Sequence, residues 1–178
     1  MIRYGILVWM GLVFGTPSLA QRSLSVPVTL TLPSISMVDV EPAGTAINFT
    51  FRAPTEAGNT LSTVSADNSK WLNFTSAVAP NRNRRIMIQL SNSLPMGLSL
   101  RLTTSAYGGS GAGALGSRVS PITLTTTAQT LIQNIGGAFT GNGVNNGYNL
   151  SFQLQVQDFA QLRAQTATIS VVYTIMDN

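Results

Sequence analysis

The chain has 178 residues, no cysteine and no histidine, and only 9% of its residues are charged. These absences exclude disulfides, thiolate or imidazole metal ligands, and the commonest general base of enzymes. The formal net charge is +4, which is small and scattered along the chain, so it gives no support to a nucleic-acid partner.

Residues 1–20 have the layout of an export signal peptide. Arg3 supplies a positive charge near the start, a short apolar run follows, and Ser18 and Ala20 are the small residues of a cleavage site. The apolar run is too short to cross a bilayer, which needs ~20 residues, and no later stretch predicts a transmembrane helix. We therefore predict cleavage before Gln21 and an extracytoplasmic location, which includes the secreted, periplasmic and cell-surface cases.

Residues 21–178 alternate between apolar and polar side chains in many places, which is the period of a half-buried strand. About nine or ten such segments, separated by turn-rich stretches, predict a single all-β domain built as a sandwich or a small barrel. One short helical turn is predicted at Asp158–Arg163. The apolar residues that mark the clearest later strands are Ile47, Phe49 and Phe51; Ile86, Ile88 and Leu90; Leu98, Leu100 and Leu102; Leu150, Phe152, Leu154 and Val156; and Ile169, Val171, Tyr173 and Ile175.

A glycine-rich run is the nearest approach to a cofactor motif. Gly111, Gly113 and Gly116 match the spacing of a dinucleotide-binding loop, which needs a helix after it and an acidic residue about 20 residues further on. Here a strand pattern follows, and the next acidic residue is Asp158. We interpret the run as a flexible hairpin loop and predict no cofactor.

The few charged side chains predict neither a catalytic nor a metal site. Asp39 and Glu41 share one face of a strand, but no further acid lies nearby, and Ca²⁺ usually takes six or more oxygen ligands. Lys70 follows Ser69, yet adjacent residues of an extended chain point to opposite faces, which disfavours a Ser–Lys nucleophile. The basic run at residues 82–85 is interpreted as a solvated turn. The chain is therefore not expected to be an enzyme.

Two aromatic residues are candidate glycan contacts. Trp71 and Tyr107 could serve as platforms on which a sugar ring stacks, and the Asn-rich loop at residues 141–149 could offer amide donors and acceptors. The alternative is that Trp71, which neighbours Leu72, belongs to the core, and that the loop is a series of turns, since Asn and Gly tolerate left-handed backbone.

The first alternating segment is a candidate for strand exchange. A strand with apolar residues at every second position can pair within its own sheet, or it can be added to the open edge of a neighbouring subunit. The pattern does not distinguish these two pairings. The C-terminal strand that ends at Met176 has the same character. The apolar residues of the candidate exchanged segment are Leu24, Val26, Val28, Leu30 and Leu32.

The whole of residues 21–178 resembles the secreted β-sandwich proteins of bacterial surfaces. The signal peptide, the alternating first strand, the middle rich in Ser, Thr, Asn and Gly, and the closing strand Thr168–Ile175 are the parts that resemble fimbrial subunits and the spore coat protein U-like group. The resemblance implies an immunoglobulin-like antiparallel sandwich, assembly by strand exchange, and no catalysis.

Our leading expectation is an exported structural or adhesive subunit of a cell surface, whose partners are copies of itself or other surface subunits. The first alternative is a monomeric secreted module that binds glycans. The second is a small outer-membrane β-barrel, which the chain length and alternation suit, although the paired aromatic girdles of such proteins are missing.

Overall fold

The computed structural model of the protein describes residues 23–62 and 64–178. The predicted signal peptide, residues 1–20, and the predicted cleavage point before Gln21 lie outside these described residues. The chain divides into two units, Met1–Leu32 and Pro33–Asn178. The strands and the core belong to the second unit.

Eleven strands and one 3₁₀ turn make up the regular structure of the described residues. Four of the strands contain only two residues each. Three of these short strands lie where no alternation marks them, so the sequence does not predict them: Ala112–Gly113, Ser117–Arg118 and Ala138–Phe139. Conversely, the alternating segment at residues 24–32, which the sequence counts as a strand, contains none. The strands in chain order are β1 Ile35–Glu41, β2 Asp67–Ala77, β3 Arg84–Leu90, β4 Leu98–Gly108, β5 Ala112–Gly113, β6 Ser117–Arg118, β7 Ile122–Thr123, β8 Gln129–Ile135, β9 Ala138–Phe139, β10 Gly147–Val156 and β11 Val171–Asp177.

The strands form two antiparallel sheets. The first sheet has seven strands in the order β5-β9-β2-β10-β4-β7, with β1 paired to β2 as well. The second has four strands in the order β11-β3-β8-β6. The predicted all-β antiparallel sandwich is thus confirmed.

The core lies between the two sheets and comes from the alternation of each long strand. In β3 the residues Ile86, Ile88 and Leu90 are buried while the residues between them are half-buried, as one face of a strand packs inward and the other does not. Leu72 and Phe74 of β2 face them in the same way. Burial of such side chains stabilises the sandwich by about 1.5–3 kcal/mol each.

Two local predictions have different outcomes. The helical turn predicted at Asp158–Arg163 is confirmed as a 3₁₀ turn at Phe159–Gln161, where Asp158 caps the turn by accepting a hydrogen bond from the Ala160 amide. The strand predicted at Ile47–Phe51 is wrong, because residues 45–54 contain no strand. The alternation there has another cause: Ile47 and Phe49 pack against the core, although the backbone between them is paired with no strand of the described residues.

Candidate strand-exchange surface

The N-terminal segment, residues 24–32, exposes all of its apolar side chains. It contains no helix or strand. Its five apolar residues are between 76% and 93% exposed. Large apolar side chains exposed in a row usually mark an interaction site. The residues concerned are Leu24, Val26, Val28, Leu30 and Leu32.

The sandwich has an open side where β1 and β11 lie next to each other. Within the described residues, β1 pairs only with β2 and β11 pairs only with β3. Each strand therefore has one edge with which no other part of the described structure pairs. An unpaired strand edge presents a row of amide and carbonyl groups that can accept a further strand.

The inward side chains along this open side are only partly covered. Each of these side chains lies on the core face, because its register partner on β2 or β3 is fully or almost fully buried. The side chains of β1 and β11 themselves are nevertheless only half-buried. Burial still raises the pKa of the Tyr173 phenol above its ordinary value of 10.0. The open side is therefore an apolar surface that one more strand would cover. The side chains are Val38, Val40, Val171, Tyr173 and Ile175.

A buried arginine joins β1 and β11 at one end of the open side. The residue Arg84 is only 5% exposed, and its Nε donates to Asp177 Oδ1 at 2.6 Å. One terminal nitrogen donates to the carbonyl of Ile35 and to the Ala77 carbonyl, the latter at 3.3 Å. The other donates to Ser34 Oγ at 2.8 Å. The basic run at residues 82–85 is thus not a uniformly solvated turn, because its central cation lies inside the sandwich.

A second buried cation, Lys70, anchors the turn that follows β1. Its Nζ donates to the Pro42 carbonyl at 2.7 Å, to the Thr45 carbonyl at 2.6 Å and to Thr45 Oγ1 at 2.5 Å. The neighbouring Ser69 hydroxyl instead donates to Asp67 Oδ1 at 2.6 Å. The two side chains are bound to different partners, so the geometry gives no nucleophilic pair.

The two candidate glycan contacts do not share a face of the first sheet. Trp71 is half-buried and alternates with the inward Leu72, so it lies on the outer face. Tyr107 packs against the core, where its ring meets Tyr148 edge-on at 5.8 Å. The Tyr107 hydroxyl donates to the Thr140 carbonyl at 3.2 Å. The structure therefore does not bring these rings together as one platform.

The Asn-rich loop uses its amides within the protein. The buried Asn73 donates to the Asn146 carbonyl at 2.7 Å and accepts from the Gly143 amide at 2.7 Å. Asn146 Oδ1 accepts from the Ser110 amide at 3.1 Å, and its Nδ2 donates to the Asn142 carbonyl at 2.8 Å. These hydrogen bonds fasten the loop to the strand ends around it.

The glycine-rich run packs too closely against its neighbours to hold side chains. A Cβ built on Gly111 would lie 2.1 Å from the Phe139 carbonyl oxygen, and one on Gly113 would lie 2.2 Å from that of Gly137. A Cβ on Gly116 would lie 2.4 Å from the Gln133 carbonyl oxygen. The requirement for glycine here comes from strand packing. The interpretation of the run as a flexible hairpin loop is wrong, because the run contains β5, which pairs with β9, and leads to β6 in the other sheet.

Metal ligands, membrane-spanning helices and similarity to known proteins give no further guide to the activity. In the part of the chain that the structure describes, no group of three or more acidic, histidine or cysteine residues could hold a metal ion. Among the same residues, no helix has the length and apolar character needed to span a membrane. Comparisons with protein families, with curated proteins and with solved structures find no match.

Proposed function

We propose that the chain is an exported, non-catalytic structural or adhesive subunit of a cell surface, and that copies assemble by strand exchange. The observation that carries the proposal is the coexistence of an exposed apolar segment and a sandwich side that lacks a covering strand. The donor is residues 24–32, and the acceptor is the edge of β11 together with the half-buried side chains of β1 and β11.

Donor and acceptor match in length and in chemistry. Nine extended residues span ~30 Å and seven span ~23 Å, so the donor covers the whole of β11, which has seven residues. The donor presents five apolar side chains to one face and mainly hydroxyl side chains to the other. Burial of five such side chains contributes on the order of 10 kcal/mol, which opposes the entropy lost when the segment becomes ordered.

A matched pair of substitutions in residues 21–178 tests the proposal. Val28→Asp places a charge on the apolar face of the donor, whereas Thr29→Asp places the same charge on the polar face. Light scattering and electron microscopy should show filaments or ladders for the unmodified chain and for Thr29→Asp, and monomers for Val28→Asp.

Two results would refute the proposal. One is an unmodified chain that remains monomeric under all conditions, including on its native cell. The other is equal assembly by both variants, which would show that the apolar face of residues 24–32 is not used.

A further inference from the structure

The buried Arg84 lies where the chain leaves the proposed donor and enters the sandwich, beside the end of the proposed acceptor strand. Ser34 and Ile35 follow Pro33, the residue after the donor segment 24–32, and Asp177 is the last residue of β11. All three are bound by the one guanidinium. Ser34 and Asp177 are exposed, whereas the Arg84 side chain that joins them is only 6% exposed.

Arg84 belongs to β3, an interior strand of the second sheet. Arg84 pairs with Asp177 on one side and with Ile135 of β8 on the other, so its backbone belongs to an interior strand. Its side chain crosses to the first sheet and reaches the Ala77 carbonyl at the end of β2. The group therefore connects both sheets at one end of the sandwich.

We infer that Arg84 carries the mechanical tension on the subunit, because its guanidinium ties the residues that follow the donor segment to the end of the acceptor strand. This inference rests on the proposed strand exchange. In a chain of exchanged subunits, tension enters each sandwich through β11 and leaves through Ser34. The path between these two points passes through the guanidinium.

The direction in which the two ladders open explains why one contact at this end determines the resistance of the subunit to unfolding under tension. Force applied at Ser34 and at Asp177 peels β1 from β2 and β11 from β3 starting at the same end, so the ladder hydrogen bonds break one after another. Once the Asn178–Asn83 hydrogen bonds beyond the end of β11 have broken, the first contacts to break in both ladders are those that Arg84 holds. Hydrogen bonds to a charged group are about twice as strong as neutral ones. The guanidinium that makes them is buried, whereas its partner Asp177 is 75% exposed.

Single-molecule force spectroscopy on monomeric residues 21–178 tests the inference. The chain contains no cysteine, so introduced cysteines are unique attachment points. One geometry uses Ser23→Cys and a cysteine added after Asn178, which loads the two ends joined by Arg84. The control geometry uses Asn92→Cys and Val144→Cys, which are exposed and load other strands.

The substitutions are Ser34→Ala and Asp177→Asn, each of which weakens one arm of the contact at an exposed residue. Arg82→Ala, in the neighbouring turn, is the control variant. In the terminal geometry we expect each test variant to unfold about fivefold faster at a fixed load, which corresponds to about 1 kcal/mol for a charged pair whose partner is exposed. In the control geometry, the unfolding rate of the test variants should equal that of the unmodified chain. Arg82→Ala should leave the unfolding rate unchanged in both geometries.

Equal acceleration in both geometries would overturn the inference, because it would show that Arg84 only stabilises the fold as a whole. An unchanged rate in both geometries would overturn it as well. The proposed strand exchange is tested separately: filaments that form normally while pulling rates do not respond would refute the mechanical role of Arg84 alone. Monomers that never assemble would refute strand exchange, and with it the role of Arg84 in carrying tension between subunits, whatever the pulling rates.

Discussion

Charged side chains are scarce, and two of the cations are buried inside the sandwich. Burial of a charge is costly unless hydrogen bonds replace those to water. Lys70 meets this requirement with three neutral oxygens of one turn, and Arg84 meets it with oxygens from β1, β2 and β11. Arg84 therefore connects β3 to β1 and β2 of the other sheet, with which β3 forms no ladder. Lys70 connects β2 to the turn that follows β1.

The buried phenol of Tyr148 and the half-buried phenol of Tyr173 make the fold sensitive to alkali. Burial raises the pKa of Tyr173, and burial together with the charge of Tyr107 raises that of Tyr148, against a smaller lowering by Arg118. A raised phenol pKa means that the folded state keeps its proton when the unfolded state has lost it. Stability is therefore complete below pH about 10 and decreases as the pH rises further, by at most about 1.4 kcal/mol per pH unit for each phenol.

We expect Tyr173→Phe to remove its share of this alkaline loss. The measurement is the free energy of unfolding in urea at pH 8 and at pH 11. At pH 8 the variant should resemble the unmodified chain, and between the two pH values it should lose less stability. An identical loss in the variant would show that Tyr173 does not titrate with unfolding.

At the scale of elements, the start of β10 requires a glycine for reasons of space. Gly147 has a φ of +84°, and a Cβ there would lie 2.1 Å from the Leu72 carbonyl oxygen of β2. Gly143, in the loop before it, has nearly the same φ of +85° but no atom within 4 Å of its Cβ position. Comparison of alanine substitutions at Gly143 and Gly147 therefore distinguishes the cost of left-handed backbone from the cost of a steric clash.

We expect Gly143→Ala to cost about 1 kcal/mol, the strain of left-handed backbone. Gly147→Ala should cost more than about 3 kcal/mol, because β10 must also move away from β2. Urea unfolding of both variants measures the difference. Equal costs would mean that β2 and β10 do not approach each other this closely.

The alternation of side chains locates the ladder strands well and fails where burial and pairing separate. It marks β3, β4, β10 and β11 because their apolar faces are buried and their backbones are paired. It also marks Ile47–Phe51, where burial occurs without a neighbouring strand. Alternation reports which face is apolar; it carries no information about whether another backbone lies within hydrogen-bonding distance.

The same alternation also indicates the two buried cations by their position, although charged residues are usually assigned to the surface. Arg84 stands at the inward parity of Ile86 and Ile88, and Lys70 at that of Leu72 and Phe74. A charged residue at a core position predicts a buried hydrogen-bonded contact between segments. The oxygen atoms that bind Arg84 and Lys70 come from turns and strand ends distant in sequence, so these partners could not be predicted.

At the scale of the whole molecule, the long unpaired edges are gathered on one side. The other ends of the sheets finish in strands of two residues, β5, β6 and β7, and short edge strands are a common protection against unwanted pairing. By contrast, β1 and β11 have seven residues each and adjoin one another. The asymmetry favours this side of the sandwich as the place where the proposed donor strand would be added.

This arrangement predicts that residues 21–32 serve assembly and contribute nothing to the stability of the sandwich. The core residues and the apolar residues packed against them all follow Pro33 in the chain. We expect a chain of residues 33–178 to unfold cooperatively, with a free energy of unfolding within about 0.5 kcal/mol of that of monomeric Val28→Asp. The truncated chain should form no filaments, yet a synthetic peptide of residues 24–32 should bind it and raise its melting temperature, because a ligand that binds only the folded state stabilises it. Urea unfolding and thermal melting with the peptide, and with a peptide carrying Val28→Asp as control, make the measurement. Loss of cooperative unfolding on truncation would instead mean that the segment completes its own sandwich and that exchange between subunits is not its role.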